Sequence, residues 1–457
     1  MYRKAKQELL LWKEREGRKP LIIRGARQVG KTWLVRDLAE HFSCFIEVNF
    51  DKNPEKADLF SARDIDRTLD LIEIDSGVSL VSGNTLLFLD EIQSAPAVLP
   101  VLRYFYEERP DIHVIAAGSL LEFLLAEHDF SMPVGRIEYL YLGPMDFEEF
   151  VAALGQPKLL DYLTTYRLPE VIPLSIHEKL LELLKLYWIV GGMPAAVAAW
   201  IRQKKLADVT REHASILQTY EADFAKYRRK IYPQRLRGVF AKIPALIGRK
   251  LKYVNLDPDE KAKNLADTLE LLEMARVICL VRHSAGNGLP LGAEVKEKVF
   301  KPLFLDVGLV STALGLSLAQ VEQIEELLLV HNGAVAEQFI GQHLLYQNSW
   351  YEKPQLYYWN REQKSSNAEV DYLISVGPAV VPVEVKAGKS GSLKSLQVFV
   401  TEKKSPLALR FDANPPSASQ QQTAIAGMER ADYPFVSLPL YLVCQAKRIA
   451  QTLLTEV

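Results

Sequence analysis

Cysteine is scarce in this chain, and its three copies (Cys44, Cys279 and Cys444) are scattered without metal-ligand spacing. An odd, dispersed set fits a reducing compartment, so a cytoplasmic location is expected. No apolar run approaches the ~20 residues of a membrane span, and no membrane association is expected. The stretch MYRKAKQELLLWKEREGRKP reads as a charged amphipathic helix that lacks the apolar region and cleavage site of a secretory signal. Excess charge is missing too: 55 basic against 57 acidic side chains give a formal net charge of -2. That balance argues against a protein coated in nucleic acid but leaves room for a local basic face. Internal repeats and long low-complexity tracts are absent, and only DANPPSASQQQTAIAG (Asp412–Gly427) reads as a mobile polar loop.

What is present is an ordinary globular composition, 48% hydrophobic and 25% charged, over 457 residues. That length is too great for one compact core, and two to four domains are expected. Up to about residue 150, near-continuous apolar strands (PLIIRG, CFIEVNF, TLLFLDE, IHVIAAG, RIEYLYLG) alternate with helical stretches. This pattern predicts an α/β domain with a parallel sheet covered on both faces, over residues 1–154. Residues 155–230 read as helical. Several short helices and a hairpin formed by VICLVRHS and KVFKPLFLD suggest a winged-helix module over residues 231–320. A second α/β unit is expected over residues 321–457, with a helix before strands at LYYWNR, EVDYLIS and VVPVEVK.

GARQVGKT, Gly25 to Thr32, matches the G-x-x-x-x-G-K-T phosphate loop and lies between the strand PLIIR and the helix TWLVRDLAEHF. Gly25 and Gly30 let the backbone curl so that the N–H groups of Ala26, Arg27, Gln28, Val29 and their neighbours through Trp33 face phosphate oxygens. The helix N-terminus adds about half a positive charge. Lys31 would reach the β- and γ-phosphates of ATP, and the Thr32 hydroxyl would ligate Mg2+. TLLFLDEIQ then ends an apolar strand in Asp90, suited to hold the magnesium, and Glu91, suited to polarise the attacking water. The bland alternative is that Asp90 starts the next helix as a cap. Ser119, after a third strand, either senses the γ-phosphate or caps a helix. Arg136 either stabilises transition-state charge, in its own subunit or a neighbour's, or is a surface arginine. Arg27 either faces the nucleotide or is structural.

PLIIRGARQVGKTWLV, LLFLDEIQ, AAGSLLEF, VGRI and IVGGMPAAV together resemble the bacterial and archaeal AAA-superfamily ATPases. The likeness is greatest to those whose C-terminal domain of unknown function resembles a restriction-endonuclease-like, PD-(D/E)XK, nuclease. The resemblance spans nearly the whole chain and implies an AAA+ core, a helical lid, a winged helix and a nuclease-like tail. One departure is that no lid arginine stands near GGMPAAV, where many AAA ATPases keep a second sensor, and this leaves the coupling of hydrolysis to lid movement open.

The segment Lys226–Lys252 contains ten Lys or Arg and no acid, with Tyr227, Tyr232 and Phe240 interleaved. It reads as a surface for a nucleic-acid backbone, DNA being the expected partner. The alternative is a solvated face paired with the acidic LDPDEKAKNLADTLELLE that follows. In the tail, Glu337 lies in a helical stretch, Asp371 in EVDYLI, and Glu384 and Lys386 in VEVK. Period two puts Glu384 and Lys386 on one face of their strand. Glu337, Asp371 and Glu384 would hold a second Mg2+ or Mn2+, with Lys386 orienting the nucleophile and Gln397 as an accessory residue. The alternative is a same-face ion pair of little energetic weight. The leading expectation is an ATPase that binds nucleic acid and controls a metal-dependent nuclease-like tail. Its rival is a regulatory switch or scaffold ATPase with an inert tail.

Overall fold

The computed structural model describes all residues except 62–63, 120–132, 134, 225–231, 316–323, 362–367, 389–391, 424, 426–429 and 456–457, and the side chains of 324–332. The first domain opens with α1 (Ala5–Glu14), β1 (Leu21–Arg24), α2 (Lys31–Ala39) and β2 (Cys44–Asn49). It continues through α3 (Ile65–Ser76), β3 (Thr85–Asp90), α4 (Leu102–Glu108), β4 (Ile112–Gly118) and β5 (Glu138–Tyr141). The strands form a five-stranded sheet in the order β2-β3-β4-β1-β5, and every pairing is parallel. Strand periodicity explains the two cores: Leu86 and Phe88 pack into one apolar cluster, and Leu87 and Leu89 into the other.

A helical layer follows, with α5 (Phe147–Ala153), α6 (Pro157–Thr165), α7 (Leu174–Val190), α8 (Pro194–Gln203) and α9 (Leu206–Asp223). The turn between α7 and α8 holds Gly191 and Gly192 for steric reasons. A Cβ on Gly191 would lie 2.0 Å from the Asp306 carboxylate, and one on Gly192 would lie 2.0 Å from the Met145 carbonyl oxygen. Asp306 accepts from the Gly192, Gly308 and Leu309 amides, so one buried carboxylate caps a helix and pins this turn. Burial pushes its pKa up to about 6, while the same amide bonds work the other way. Among the described residues no single helix is long and apolar enough to cross a membrane.

Next come α10 (Pro233–Lys242), α11 (Ala262–Met274), β6 (Ile278–Ser284), β7 (Val295–Phe304), α12 (Val307–Ala313) and α13 (Ile324–Leu345). The chain ends with β8 (Tyr357–Asn360), β9 (Glu369–Val376), β10 (Ala379–Val385), α14 (Lys394–Lys403), β11 (Ala408–Asp412), β12 (Ser417–Gln422), β13 (Asp432–Pro439) and α15 (Ala446–Thr455). Here the structure departs from expectation. β6 and β7 do form an antiparallel hairpin, but β6 also pairs with β8, and the order is β12-β13-β11-β10-β9-β8-β6-β7. The expected boundary at 320/321 therefore divides one eight-stranded sheet. The polar stretch expected to be a mobile loop contributes β12, antiparallel to β13; its residues 424 and 426–427 lie outside the described set. Its backbone pairs although its side chains are exposed, so polarity alone misled.

Candidate nucleotide site and the acidic cluster of the tail

Sheet register assembles the first site. Arg24 at the end of β1 is level with Gly118 of β4, and Asp90 of β3 is level with Ala117. The loop after β1, the acids after β3 and Ser119 after β4 thus share the C-terminal edge, where open parallel sheets hold ligands. Gln28 and Gly30 take left-handed backbone conformations (φ 64° and 94°) that curl the loop. A Cβ on Gly25 would sit 2.3 Å from the Leu142 carbonyl oxygen, so only glycine fits. Ala26 and Val29 are buried beneath, and Trp33 is exposed on the first turn of α2.

Lys31 is buried, and its Nζ donates to the carbonyls of Gly25 at 3.0 Å and Ala26 at 2.9 Å. Burial lowers its pKa to about 8, with Glu91 and Asp90 acting in the opposite direction. The Thr32 hydroxyl lies 3.3 and 3.4 Å from the two Asp90 carboxylate oxygens. A hydroxyl and a carboxylate so close are a hard-oxygen pair of the kind magnesium accepts. Asp90 also accepts from Asn49 Nδ2 at 3.0 Å, and burial, then Glu91, raise its pKa. Glu91 has a left-handed backbone (φ 53°), and its carboxylate accepts from Gln93 Nε2. Such a conformation in a non-glycine residue costs on the order of 1 kcal/mol and fixes where the side chain emerges.

Arg27 is neither loose nor purely local. Its Nε lies 3.2 Å from Ser119 Oγ and 3.0 Å from Asp223 Oδ2 at the end of α9. Tyr220 of the same helix donates to the Arg27 carbonyl at 2.8 Å. Beneath the loop, buried Arg3 donates to the carbonyls of Val29 and Gly143, each at 2.8 Å. Asn49, Gln93, Asp223 and Arg3 escaped the sequence reading. Of these only Asn49, a polar residue at the end of an apolar strand, carried a recognisable signal.

Arg136 corrects an expectation. It precedes β5, whose first residue, Glu138, is level with Leu21 at the start of β1. It therefore lies toward the edge opposite the phosphate loop, half exposed and bonded to Glu107 at 3.0 Å. That register sets it away from its own subunit's γ-phosphate, and what the position fits is a surface arginine or a role at a neighbour's site.

In the tail, Glu337 of α13, Asp371 of β9 and Glu384 of β10 do come together. Two of them, Glu337 and Asp371, flank a residue that was not anticipated. Lys301 of β7, 3% exposed, places its Nζ 3.7 Å from Glu337, 2.6 Å from Glu369 and 3.7 Å from Asp371. Asp371 also accepts from the Val385 amide at 2.8 Å, and Lys386 pairs with Glu384. Burial, followed by Asp371, pushes Glu337 up to about 8 despite Lys301. Burial and Asp371 push Glu384 up to about 7, and Lys301 is held above its usual range by Glu337, Asp371 and Glu369 against its own burial. Among the described residues no group of three His, Cys, Asp or Glu is arranged to hold a metal ion. The donor set expected for a second Mg2+ or Mn2+ does not fit one, because an ammonium stands among the carboxylates. Nor does any hydrogen bond among the described residues join the Gln397 side chain, on α14, to these acids.

Residues 17–151 match the AAA domain family. Residues 181–320 match a domain of unknown function (DUF8612), and residues 332–419 match another (DUF4143). None of the curated proteins matches the chain significantly. Among solved structures, a Walker-type ATPase of Pyrococcus abyssi shares 15% identity over 68% of this chain and 95% of its own, with a TM-score of 0.42. The ORC2 protein of Aeropyrum pernix shares 13% identity over 71% and 92%, with a TM-score of 0.34. The ORC1 protein of the same organism, solved with DNA, shares 13% over 70% and 92%, with a TM-score of 0.26. These likenesses are distant. With a matching AAA domain, an intact phosphate loop and the paired acids at one sheet edge, the chain carries an AAA+ P-loop ATPase domain and is an ATP-hydrolysing enzyme.

Proposed function

We propose that the chain is a nucleotide-driven switch in which ATP binding and hydrolysis reset the helical lid, and that the C-terminal domain serves as a binding module. The observation that carries this reading is Arg27, a phosphate-loop residue joined at once to Ser119 on the sheet edge and Asp223 on the lid. A side chain so shared feels any change in the loop and transmits it to α9. Lys31 takes the β- and γ-phosphates, and the amides from Gly25 to Trp33 line the phosphate chain. Magnesium, when bound, neutralises phosphate charge, and Thr32 and Asp90 would hold it. Glu91, oriented by Gln93, draws the proton from the attacking water. Arg136 is exposed enough to serve a neighbouring copy. Exposed Arg237, Arg249 and Lys252 offer contacts to a nucleic-acid backbone.

A second reading, a metal-dependent nuclease under ATPase control, is favoured by the order of α13, β8, β9, β10, α14 and β11 with Glu337, Asp371, Glu384 and Lys386 in sequence along it. It is the weaker one because of Lys301. Steady-state hydrolysis tests the first: Lys31→Ala and Glu91→Gln should each lower kcat at least about a hundredfold. Retained hydrolysis in Lys31→Ala would refute the site. Incubation with Mg2+ or Mn2+ and DNA or RNA, beside Lys386→Ala, tests the second. Cleavage by the wild type that the variant loses would overturn the inert tail.

A further inference from the structure

The acidic cluster of the tail is built around a cation that belongs to the protein. Lys301 comes from the β6–β7 hairpin, whereas the acids come from α13, β9 and β10. Only one of its contacts, 2.6 Å to Glu369, has hydrogen-bond length; Glu337 and Asp371 stand at 3.7 Å. An ammonium in an ordinary buried pair would spend its three donors on close partners. This one is held as a point charge among three carboxylates, with the Tyr358 ring 5.3 Å away closing a further side.

We propose that Lys301 stands as a built-in counter-ion where a divalent cation would otherwise be held, and that removing its ammonium opens an oxygen-ligand site for Mn2+ or Mg2+ formed by Glu337, Asp371 and Glu384. Charge balance supports this. Glu337, Glu369, Asp371 and Glu384 face Lys250, Lys301 and Lys386, so four carboxylates meet three ammonium groups. Even with every carboxylate ionised only one negative charge remains, and Glu337, raised to about 8, keeps its proton near neutrality, so a divalent ion added here would leave an excess of positive charge in a poorly solvated place. Without Lys301, a divalent ion that displaces the Glu337 proton meets two negative charges, which it matches. A separate observation points to a ligand: Glu384 is 6% exposed, and its Oε2 has no hydrogen-bond partner. That orphaned oxygen is an acceptor of the type a hard cation takes.

The inference is independent of the ATPase reading and is tested without nucleotide, with Mn2+ alone as the probe and free Mn2+ followed by electron paramagnetic resonance. The full chain should show no uptake that Glu384→Gln removes, which subtracts any Mn2+ at Thr32 and Asp90. Lys301→Met and Lys301→Gln should each gain one equivalent, saturating below about 1 mM, the weak end for oxygen-ligand sites. Adding Glu384→Gln to either should abolish the gain. Wild-type uptake that Glu384→Gln removes would overturn the proposal, as would a folded, ATP-hydrolysing Lys301 variant that gains none. Should neither variant fold alone, refolding with Mn2+ decides: recovery only with Mn2+ supports the proposal, and no recovery overturns it.

Discussion

Arg27 shows how much one side chain can connect. Its guanidinium is three-quarters buried beside an Asp223 that is almost fully buried, so the pair is shielded enough to carry weight. Because Arg27 also touches Ser119, removing either charge should disturb the loop and the lid together. A double-mutant cycle with Arg27→Ala and Asp223→Asn tests this on kcat. The losses are expected to be non-additive, with a coupling of about 1–3 kcal/mol. Additive losses would mean that the two residues serve separate ends. At this scale the sequence was legible where a motif fixes both residue type and spacing, as with Gly25, Lys31, Thr32, Asp90 and Glu91. Lys301 was legible in kind but not in role. A lysine inside VFKPLF is as anomalous as Asp371 inside EVDYLI, yet nothing local says that a hairpin seventy residues upstream meets that strand. Glu369 could have been found, since it lies two residues before Asp371 in the same strand.

Among the elements, α13 joins the two halves of the molecule. Gln338 bonds both the amide and the carbonyl of Phe304, and Gln342 accepts from the Val307 amide and donates to Tyr187. His343 accepts from the Phe147 amide at 2.9 Å through Nε2, so Nδ1 carries the proton and donates to the Phe339 carbonyl at 2.7 Å. Burial lowers its pKa to about 4, with nearby Asp146 opposing and Lys4 assisting. His113 and His213 are lowered to about 4 as well, again chiefly by burial. Each binds a proton more readily in the unfolded chain. Their stabilisation is therefore complete above about pH 6.5 and is lost as pH falls toward 4. Across that window each should cost about 1–3 kcal/mol. Melting temperature against pH checks it: His343→Gln should lower the plateau near neutrality and flatten the acid limb. An unchanged acid limb would place the lability elsewhere. The hairpin β6–β7 teaches the complementary lesson. Its two strands were readable from apolar runs, but its pairing with β8 was not, because strand partners are chosen by tertiary contact rather than by local pattern.

For the whole molecule, a net charge of -2 hides an uneven distribution. Residues 225–231, the first part of the basic segment, lie outside the described set. In the remainder, Phe240 is buried against Phe224 and Phe304, so it packs rather than stacks on bases, while Tyr232 is 75% exposed. The alternative of pairing with the following acidic stretch holds for Arg235, bonded to Glu260 at 2.5 Å. Lys250 is engaged by Glu369 at 3.0 Å. Arg237, Arg249 and Lys252 are exposed, with no ion pair among the described residues, and are the side chains that phosphates would meet. Each phosphate contact releases condensed counter-ions, so log K should fall with log salt by about 0.9 per contact on duplex DNA. Replacing all three by alanine should lower that slope by up to about 3 and weaken binding alike across sequences, because backbone contacts carry no base information. ATP hydrolysis without DNA should be unchanged, since none of the three belongs to the nucleotide site. Titrating a labelled duplex at several salt concentrations measures the slope directly. An absence of binding at low salt, or a slope that the triple variant leaves unaltered, would remove nucleic acid as the partner and leave a protein client for the tail.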